Sequence, residues 1–506
     1  MLGRRSFCTS GAALVFSTVC SARPAPVTIC PSGGSDDQRA IATAFSSGAN
    51  VVLAPGKYMI DAPIEVPPHC RLSGHGAQVY ASISVKGRLL SHGTHVELGD
   101  GSELADLFFG PQPDMSGFVP RTTASVIMLR GSYGLVSKVT VHAVPPANPR
   151  IELQGLIVAG VGNRGNRVEH CIFRRCGVHY SYGAAIGTQV ISCTIDHAPS
   201  NALTGLCTVP NAIATGHILM NNRIIFPGRM GIEDFARLLD KVPKIIRGTR
   251  ILQNFIVSDA LARPEYFAIS AVGLDSVIEG NRVINWPRQY AIEVGGGRGA
   301  LIRGNLLRWT DGNPHEVVGV QVQAPAFAAA RRVQVVGNQI EGAAVAMLSR
   351  SQDVLFAHNI VIDPSRSVAD YDVGSAAAEI VGNVVEVRRR STTGVGARIL
   401  FNMLGCAEFR GNQIRYAANA LDPQMRDITI ITGGDRSRFV DNSIEVTGAV
   451  RRGTSVIGIT TNGMRPRGIS MAGMITDGPV IGDYSNMVAP SEPRANRWAG
   501  GLRGRH

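Results

Sequence analysis

The feature that most restricts the fold of this chain is a repeat centred on asparagine. Nine short apolar segments carry one such asparagine each, at intervals of 21 to 33 residues. In chain order they are HILMNNRII, RILQNFIV, VIEGNRVI, LIRGNLLR, VQVVGNQIE, VLFAHNIVI, EIVGNVVEV, EFRGNQIR and RFVDNSIEV, with the repeat position at Asn222, Asn254, Asn281, Asn305, Asn338, Asn359, Asn383, Asn412 and Asn442. A repeat of this period predicts a solenoid, in which each turn packs on its neighbours.

The repeated asparagine predicts a tight bend between two short strands. Such a bend leaves backbone groups without ladder partners, and an inward amide can bond its own turn and the equivalent amide of the next turn. We expect a structural ladder of stacked amides at ~4.8 Å per turn. Cys171 and Cys193 occupy the same position in two earlier repeats and should be stacked core thiols.

Composition agrees with one solenoid domain. Of 506 residues, 58 are glycine and only 17% are charged, which fits many tight turns between short strands better than solvated helices. We expect the solenoid to occupy residues 34–485 and an arginine-rich tail, residues 486–506, to be disordered. The formal net charge of +12 suits an anionic polymer, but arginine-rich codon usage would produce it equally well. Nucleic acid is not an expected partner, since no dense basic run with interleaved aromatics precedes the tail.

The first 22 residues are typical of an export signal. Arg4 and Arg5 precede the apolar stretch GAALVFSTV and the small residues of CSA, a twin-arginine type of signal peptide. The apolar stretch is too short for a membrane anchor, so we expect a periplasmic or secreted protein. In such a compartment Cys30 and Cys70 could form a disulfide. No His/Cys spacing indicates a metal site.

The segment DDQRAIATAFSSGANVVLAPGKYMIDAPIEVPPHCRLSGHGAQVYA begins with Asp36 and Asp37, placed to cap a helix over residues 36–46. Together with the asparagine repeats, it resembles the cap and first turns of the pectate-lyase superfamily. The resemblance implies an all-β fold, a single-stranded right-handed parallel β-helix with an N-terminal helical cap. That fold hosts lyases, hydrolases, epimerases and binding proteins. The sequence lacks the paired-aspartate motif of polygalacturonases and the YG-D-P-H-D motif of alginate epimerases, so no catalytic residue is carried over.

Aligning the turns on their asparagines places the following segments at one corner of the solenoid, and predicts a groove there over residues 170–325. The segments that follow the asparagine-bearing strands are rich in aromatic side chains, which stack on sugar rings, and in arginine, which binds hydroxyls or carboxylates. Together with one residue of the groove floor, Gln321, the predicted substrate-binding residues are Tyr182, His197, Tyr266, Trp286, Arg288, Tyr290 and Trp309.

The strands GIEDF, AISAV, AIEVG and GVQVQ form the predicted floor of this groove. Alternation places Ile232, Ile269, Ile292 and Val320 inward and Glu233, Ser270, Glu293 and Gln321 outward, with small outward residues beside them at Gly231, Ala268, Ala291 and Gly319. The two glutamates, two turns apart, should have Cα atoms ~9.6 Å apart. Inverting glycosidases hold an acid and a base roughly 6.5–9.5 Å apart, although outward glutamates are more often solvated surface.

Asp234 is either a third acid or the start of an insertion, DFARLLDKVPKIIRG, whose spacing suits a short helix over residues 234–244. A lyase would instead remove a proton beside a uronate carboxylate with a basic side chain, and could use Ca²⁺. Candidates for those roles are His179, Tyr180, Tyr182, His197, Arg229 and Lys244.

The sequence therefore predicts an exported carbohydrate-active enzyme whose partner is a polysaccharide, with hydrolysis favoured over β-elimination. The candidate catalytic residues are Glu233, Glu293, Asp234, His179, Tyr180 and Arg229. A non-catalytic polysaccharide-binding or adhesin β-helix is the third alternative, and solvated acids in the groove would favour it. The glycan, its linkage and the oligomeric state stay open.

Overall fold

The computed structural model describes residues 24–33, 36–81, 94–110, 124–143, 153–236, 245–258, 264, 266–295, 298–310, 317–323, 332–351, 353–371, 378–389, 399–403, 407–417, 420, 428–432, 438–447, 459–460, 470–472 and 475–477. The predicted signal peptide, the arginine-rich tail and Lys244 lie outside these residues.

The chain folds into a parallel β-helix, as predicted. Strands of successive turns pair in parallel. The larger of the two hydrogen-bonded sheets divides into two faces that share the strands Arg71–Ala81 and Glu103–Phe109, so three faces, called sheets 1 to 3, run along the molecule. In each turn of the solenoid, the strand of sheet 1 comes first and ends at the asparagine bend. The strand of sheet 2 follows the bend, and the strand of sheet 3 completes the turn. In the described part of the chain, the α-helix Asp36–Ser46 packs at the N-terminal end, which confirms the predicted cap.

Sheet 1 contains the strands that precede each bend. They are Val27–Ile29, Val51–Leu53, the first halves of Arg71–Ala81 and Glu103–Phe109, Leu135–Ser137, Arg167–Glu169, Gln189–Ile191, Ile218–Met220, Arg250–Leu252, Val277–Glu279, Leu301–Arg303, Val333–Val336, Val354–Ala357, Ala378–Val381, Ala407–Arg410, Arg438–Val440 and Ser470–Ala472.

Sheet 2 contains the strands that follow each bend. They are Gly56–Ile60, the second halves of Arg71–Ala81 and Glu103–Phe109, Thr140–His142, Ile172–Arg174, Thr194–Asp196, Arg223–Ile225, Phe255–Val257, Arg282–Ile284, Leu306–Arg308, Gln339–Glu341, Ile360–Ile362, Val384–Val387, Gln413–Ala417, Ser443–Thr447 and Ile475–Asp477.

Sheet 3 contains longer strands. They are Ile64–Val66, Val96–Leu98, Ala124–Leu129, Leu153–Arg164, Gly177–Ile186, Leu203–Cys207, Ile232–Ala236, Ile269–Ala271, Tyr290–Gly295, Val318–Gln323, Val345–Ser349, Ser367–Tyr371, Ile399–Met403, Ile428–Thr432 and Ile459–Thr460, flanked by the pair Ile213–Thr215 and Ile245–Arg247. The predicted helix over 234–244 is wrong for residues 234–236, which belong to a strand, and residues 237–244 lie outside the described part.

The asparagine ladder is continuous from Asn222 to Asn442. At Asn305, Nδ2 donates to the backbone oxygen of Ile278 (2.9 Å) and to Oδ1 of Asn338 (2.9 Å). Its own Oδ1 accepts from the backbone N–H of Asn281 at 2.9 Å. Each amide therefore satisfies two backbone groups that the bend would otherwise leave buried without a partner.

Cysteines replace the asparagines at the start of the ladder. Cys171 and Cys193 are each 1% exposed, and the backbone N–H of Cys193 donates to Oδ1 of Asn222 at 3.0 Å. The predicted stacking of these thiols in the core is confirmed. The suggested Cys30–Cys70 disulfide is wrong, because both residues are free thiols, one exposed and one buried.

The cap is fastened by Asp37, although not as a helix-capping side chain. Asp37 is buried and accepts hydrogen bonds from the backbone N–H groups of Ser32 (2.7 Å) and Met59 (3.0 Å). It therefore ties the helix start to the first turn of the solenoid. The side chain of Asp36 lies outside the described part.

Candidate functional site

The outward-facing positions of sheet 3 form one continuous row over the middle turns. Cα register pairs Glu233 with Ser270, Ser270 with Glu293, and Glu293 with Gln321. Ile232, Ile269, Ile292 and Val320 are fully buried in the core, so the predicted register of this sheet is correct. At ~4.8 Å per turn, the Cα atoms of Glu233 and Glu293 lie ~9.6 Å apart.

Two more polar residues extend this row toward the N-terminus. Thr204 pairs with Glu233, and His179 pairs with Thr204. We call His179, Thr204, Glu233, Ser270, Glu293 and Gln321 the polar row. Two members, Glu233 and Glu293, are acidic, and all six are buried.

The two glutamates of the polar row are not solvated surface groups. Glu233 is 8% exposed and Glu293 is 7% exposed. The amide Nδ2 of Asn201 donates to Glu233 Oε2 at 2.5 Å, and the Ser270 hydroxyl donates to Glu293 Oε2 at 2.6 Å. Both carboxyl groups are thus held by neighbouring side chains in defined positions, with only a small surface left to contact a ligand.

Burial raises the pKa of Glu293 to about 7. The hydrogen bond from Ser270 opposes this shift, and the negative charge of Glu233 adds to it. A carboxyl group with such a pKa carries a proton in much of the population near neutral pH, so Glu293 can act as a proton donor.

His179 lies at the N-terminal end of the row. It is 1% exposed, and burial lowers its pKa to about 4. Its ring lies 5.7 Å from that of Tyr182, which is 38% exposed. At neutral pH this pair presents an uncharged imidazole beside a phenol at the surface.

A partly exposed aromatic strip runs beside the polar row. Tyr266 is 37% exposed, its neighbour Phe267 is partly buried, and the ring of Phe267 stacks on that of Tyr290 at 5.4 Å and 13°. The guanidinium of Arg229 lies 5.2 Å above the Tyr266 ring. Tyr290 opens the strand of Glu293, and Phe267 precedes Ser270 by three residues, so strip and row follow the same turns.

Both predicted tryptophan platforms are wrong. Trp286 is fully buried and Trp309 is 6% exposed, so neither indole presents a face to a ligand. The Trp286 indole N–H donates to the backbone oxygen of Tyr266 at 3.0 Å, and that of Trp309 donates to the backbone oxygen of Trp286 at 2.6 Å. The tryptophans support the aromatic strip from beneath, because a buried indole needs an acceptor for its N–H.

Tyr180 is also not a groove residue. Residues 177–186 form a strand, and a β-bulge between His179 and Ser181 turns the Tyr180 side chain into the core. Its ring passes Gly205, where a Cβ would come within 2.4 Å of the ring atoms. Its hydroxyl then reaches Asp234 Oδ1 at 2.8 Å.

Asp234 faces the interior and cannot be a third acid of the groove. It is fully buried, and burial raises its pKa to about 6 against the opposing hydrogen bond from Tyr180. The Tyr180 hydroxyl also lies 3.2 Å from the backbone oxygen of Glu233. This pair therefore anchors the strand that carries Glu233.

The predicted floor of small outward residues is wrong. Ala268 and Ala291 are fully buried in the core, and a Cβ on Gly231 would point at Ile256, another core residue. Similarly, a Cβ on Gly319 would point at Ile340. These four positions therefore face the core rather than the groove.

The remaining predicted residues lie at the edges of the site. Arg288 is exposed, and Gln321 is 1% exposed at the C-terminal end of the row. His197 is exposed on the turn after sheet 2, where its Nδ1 lies 2.7 Å from Asp196 Oδ1, and nothing brings it to the polar row.

Asn201 and Thr204 were missed by the sequence analysis. Neither belongs to the asparagine repeat, and the strand Leu203–Cys207 that carries Thr204 has the sequence LTGLC, which does not alternate polar and apolar residues. Among the described residues, no group of three or more His, Cys, Asp or Glu side chains is placed to hold a metal ion. In the same part of the chain, no helix is long and apolar enough to cross a membrane.

No protein-family model matches the sequence, and no curated protein matches it. A mannuronic acid specific polysaccharide family 6 lyase from human gut microbiota is 13% identical, with a TM-score of 0.45 over 71% of this chain and 87% of that one. The tailspike protein of E. coli bacteriophage HK620, in complex with a pentasaccharide, is 11% identical, with a TM-score of 0.47 over 88% and 78%.

The Streptococcus pneumoniae surface adhesin PfbA is 12% identical, with a TM-score of 0.43 over 80% of this chain and 87% of the adhesin. These β-helix proteins thus include an enzyme and an adhesin. Such distant similarity is no evidence of a shared activity.

Proposed function

We propose that this protein is an exported carbohydrate-active enzyme that hydrolyses glycosidic bonds in a polysaccharide. The observation that carries the proposal is the buried polar row, with Glu233 and Glu293 two turns apart on one face and the pKa of Glu293 raised to about 7 by burial. A perturbed, hydrogen-bonded acid of this kind supports an enzyme over a passive binding surface.

In this mechanism Glu293 is the general acid and Glu233 the general base. Glu293 donates its proton to the glycosidic oxygen as the bond from that oxygen to the anomeric carbon breaks. Glu233 accepts a proton from a water molecule whose oxygen bonds to the anomeric carbon from the opposite face. Inverting glycosidases hold their two carboxyl groups farther apart than retaining ones. Placement of the two glutamates on turns that are not adjacent, with Cα atoms ~9.6 Å apart, favours the inverting arrangement.

The aromatic strip fits the role of a stacking surface for the sugar chain. Tyr266 and Tyr290 are partly exposed and lie on the turns of Ser270 and Glu293. Aromatic faces bind the apolar faces of sugar rings. A polymer lying along the solenoid axis would thus contact the strip and the polar row together. Export rests on Arg4, Arg5 and the apolar stretch that follows them.

The test is an assay of the purified protein on a panel of neutral and acidic polysaccharides. Hydrolysis releases new reducing ends without ultraviolet absorbance, whereas β-elimination releases unsaturated uronates that absorb. We expect reducing ends alone. Absorbing products that require His179 would replace hydrolysis with the lyase alternative, and binding without any cleavage would leave the adhesin alternative.

A further inference from the structure

We propose that the polar row selects a neutral, hydroxyl-rich glycan and rejects a uronate polymer. This inference rests on the proposed function and specifies its substrate class. The inference is based on the hydrogen-bond acceptors that flank the two glutamates. Such acceptors pair with hydrogen-bond donors on a ligand.

Three buried oxygens beside the glutamates have no hydrogen-bond partner in the protein. They are Asn201 Oδ1, Thr204 Oγ1 and Gln321 Oε1, on residues that are 3%, 1% and 1% exposed. Buried polar atoms in native proteins are nearly always paired. Other buried atoms of the described residues, such as the Tyr371 hydroxyl, also lack a partner, so what points to a ligand is that these three oxygens lie beside the two outward carboxyl groups.

These oxygens lie along the line of the candidate acid and base. Thr204 is one turn before Glu233, and Gln321 is one turn after Glu293. Asn201 contacts Glu233 directly. At ~4.8 Å per turn, the row from Thr204 to Gln321 is ~19 Å long, which is room for several sugar units.

Acceptors outnumber donors among the groups beside the two glutamates, although the Thr204 hydroxyl both donates and accepts. Because Asn201 donates its Nδ2 hydrogen to Glu233, its free Oδ1 is an acceptor. The Glu233 carboxylate is an acceptor as well, and the Gln321 oxygen accepts only. A sugar hydroxyl has a hydrogen to donate to each of these atoms, whereas an ionised carboxylate has none.

A uronate on this row also meets an electrostatic penalty. Glu233 and Glu293 are buried, and each raises the cost of the other's charge, as the upward pKa shift of Glu293 by Glu233 shows. A uronate carboxylate at the same place would add a second negative charge next to the Glu233 carboxylate in a low-dielectric setting. The net charge of +12 therefore does not describe this row, whose described members include neither arginine nor lysine.

The inference is tested with matched polymers that differ only at the carboxyl group. Polygalacturonate and alginate are each compared with their carboxyl-reduced forms, and dextran, galactomannan and xylan complete the panel. Binding is measured by affinity electrophoresis with the Glu293→Gln protein, so that cleavage does not consume the ligand. We expect at least tenfold tighter binding to neutral members, because each acceptor left unpaired by a carboxylate loses a hydrogen bond.

Two further variants connect that preference to the row. Thr204→Val and Gln321→Leu should each weaken binding of the preferred neutral polymer about five- to tenfold. Gln339→Leu, on sheet 2, is the matched control and should leave binding unchanged. Circular dichroism and melting temperature verify that each variant is folded.

The outcomes separate this inference from the proposed function. Binding of neutral polymers without cleavage supports the inference and contradicts the proposed hydrolysis. Cleavage of polygalacturonate or alginate, with their reduced forms untouched, supports an enzyme and overturns the inference. Equal binding of both classes, or binding of neither, also overturns it.

Discussion

Glu233 and Asp234 are consecutive residues whose carboxyl groups face opposite sides of one strand. Glu233 lies on the outward polar row with Asn201, whereas Asp234 lies in the core with Tyr180. Burial alone does not distinguish their roles, because both are shielded from water. What distinguishes them is the direction of the side chain, since only the outward carboxyl group can meet a polymer.

The catalytic assignment predicts a loss of turnover on removing either outward carboxyl group. Glu233→Gln and Glu293→Gln should each lower turnover about 10²–10⁴-fold, the scale of general acid–base catalysis. Glu279→Gln removes a carboxylate that pairs with Arg303 on sheet 1 and should keep full activity. Initial rates on the best substrate measure all three, and unchanged rates in both row variants would contradict the assignment.

A second prediction concerns the anchor beneath Glu233. Tyr180→Phe removes the hydroxyl that donates to Asp234 and leaves a buried carboxyl group short of a partner, so it should destabilise the protein by about 1–3 kcal/mol. Tyr371→Phe is the matched control, because Tyr371 is equally buried and its hydroxyl has no hydrogen-bond partner in the protein. Urea unfolding compares them, and equal losses would show that the Asp234 bond contributes nothing.

At the scale of single residues, the sequence predicted what periodicity controls and missed what local geometry decides. Strict alternation placed Glu233, Ser270, Glu293 and Gln321 correctly on one face. The bulge beside Tyr180 interrupts that alternation, and no residue type in the segment announces it. Trp286 departs from the prediction because an aromatic side chain in a turn can face either the solvent or the core, and the sequence of the turn does not specify which.

At the scale of the structural element, the asparagine ladder is the feature that the sequence specified best. One residue type at a solenoid period has one physical solution, an amide that bonds its own turn and the next. Asn201 carries the same side chain, but it occurs once, so its contact with Glu233 could not be predicted from a pattern.

The ladder predicts a difference between a ladder position and a position just beside the ladder in the next turn. Asn305→Leu removes bonds to Ile278 and Asn338 and leaves buried backbone groups unpaired, so it should destabilise by about 1–3 kcal/mol. Gln339→Leu changes a partly exposed amide next to a ladder position and should have little effect. Urea unfolding measures both free energies, and comparable losses would mean that ladder amides are dispensable.

At the scale of the whole molecule, four buried ionisable groups make stability depend on pH in opposing directions. Burial raises the pKa of Glu293 and Asp234, and it lowers the pKa of His179 and His217. As pH rises, the acids lose protons first in the unfolded chain, which favours unfolding. The histidines lose protons first in the folded chain, which favours folding, so the two effects largely cancel in the intact protein.

Replacing one of the two acids should make the opposing contributions to the pH dependence of stability measurable. The pKa of Glu293 rises from 4.5 to about 7 on folding, so its contribution to stability is lost as pH rises through that window. Glu293→Gln removes the loss, and the melting temperature of this variant should therefore gain on the wild type between pH 4.5 and 8. Gln339→Leu changes no ionisable group, so its difference from the wild type should be constant. A difference for Glu293→Gln that stays flat or shrinks with rising pH would mean that Glu293 ionises as it does in water, and the proton donor of the proposed reaction would be lost with it.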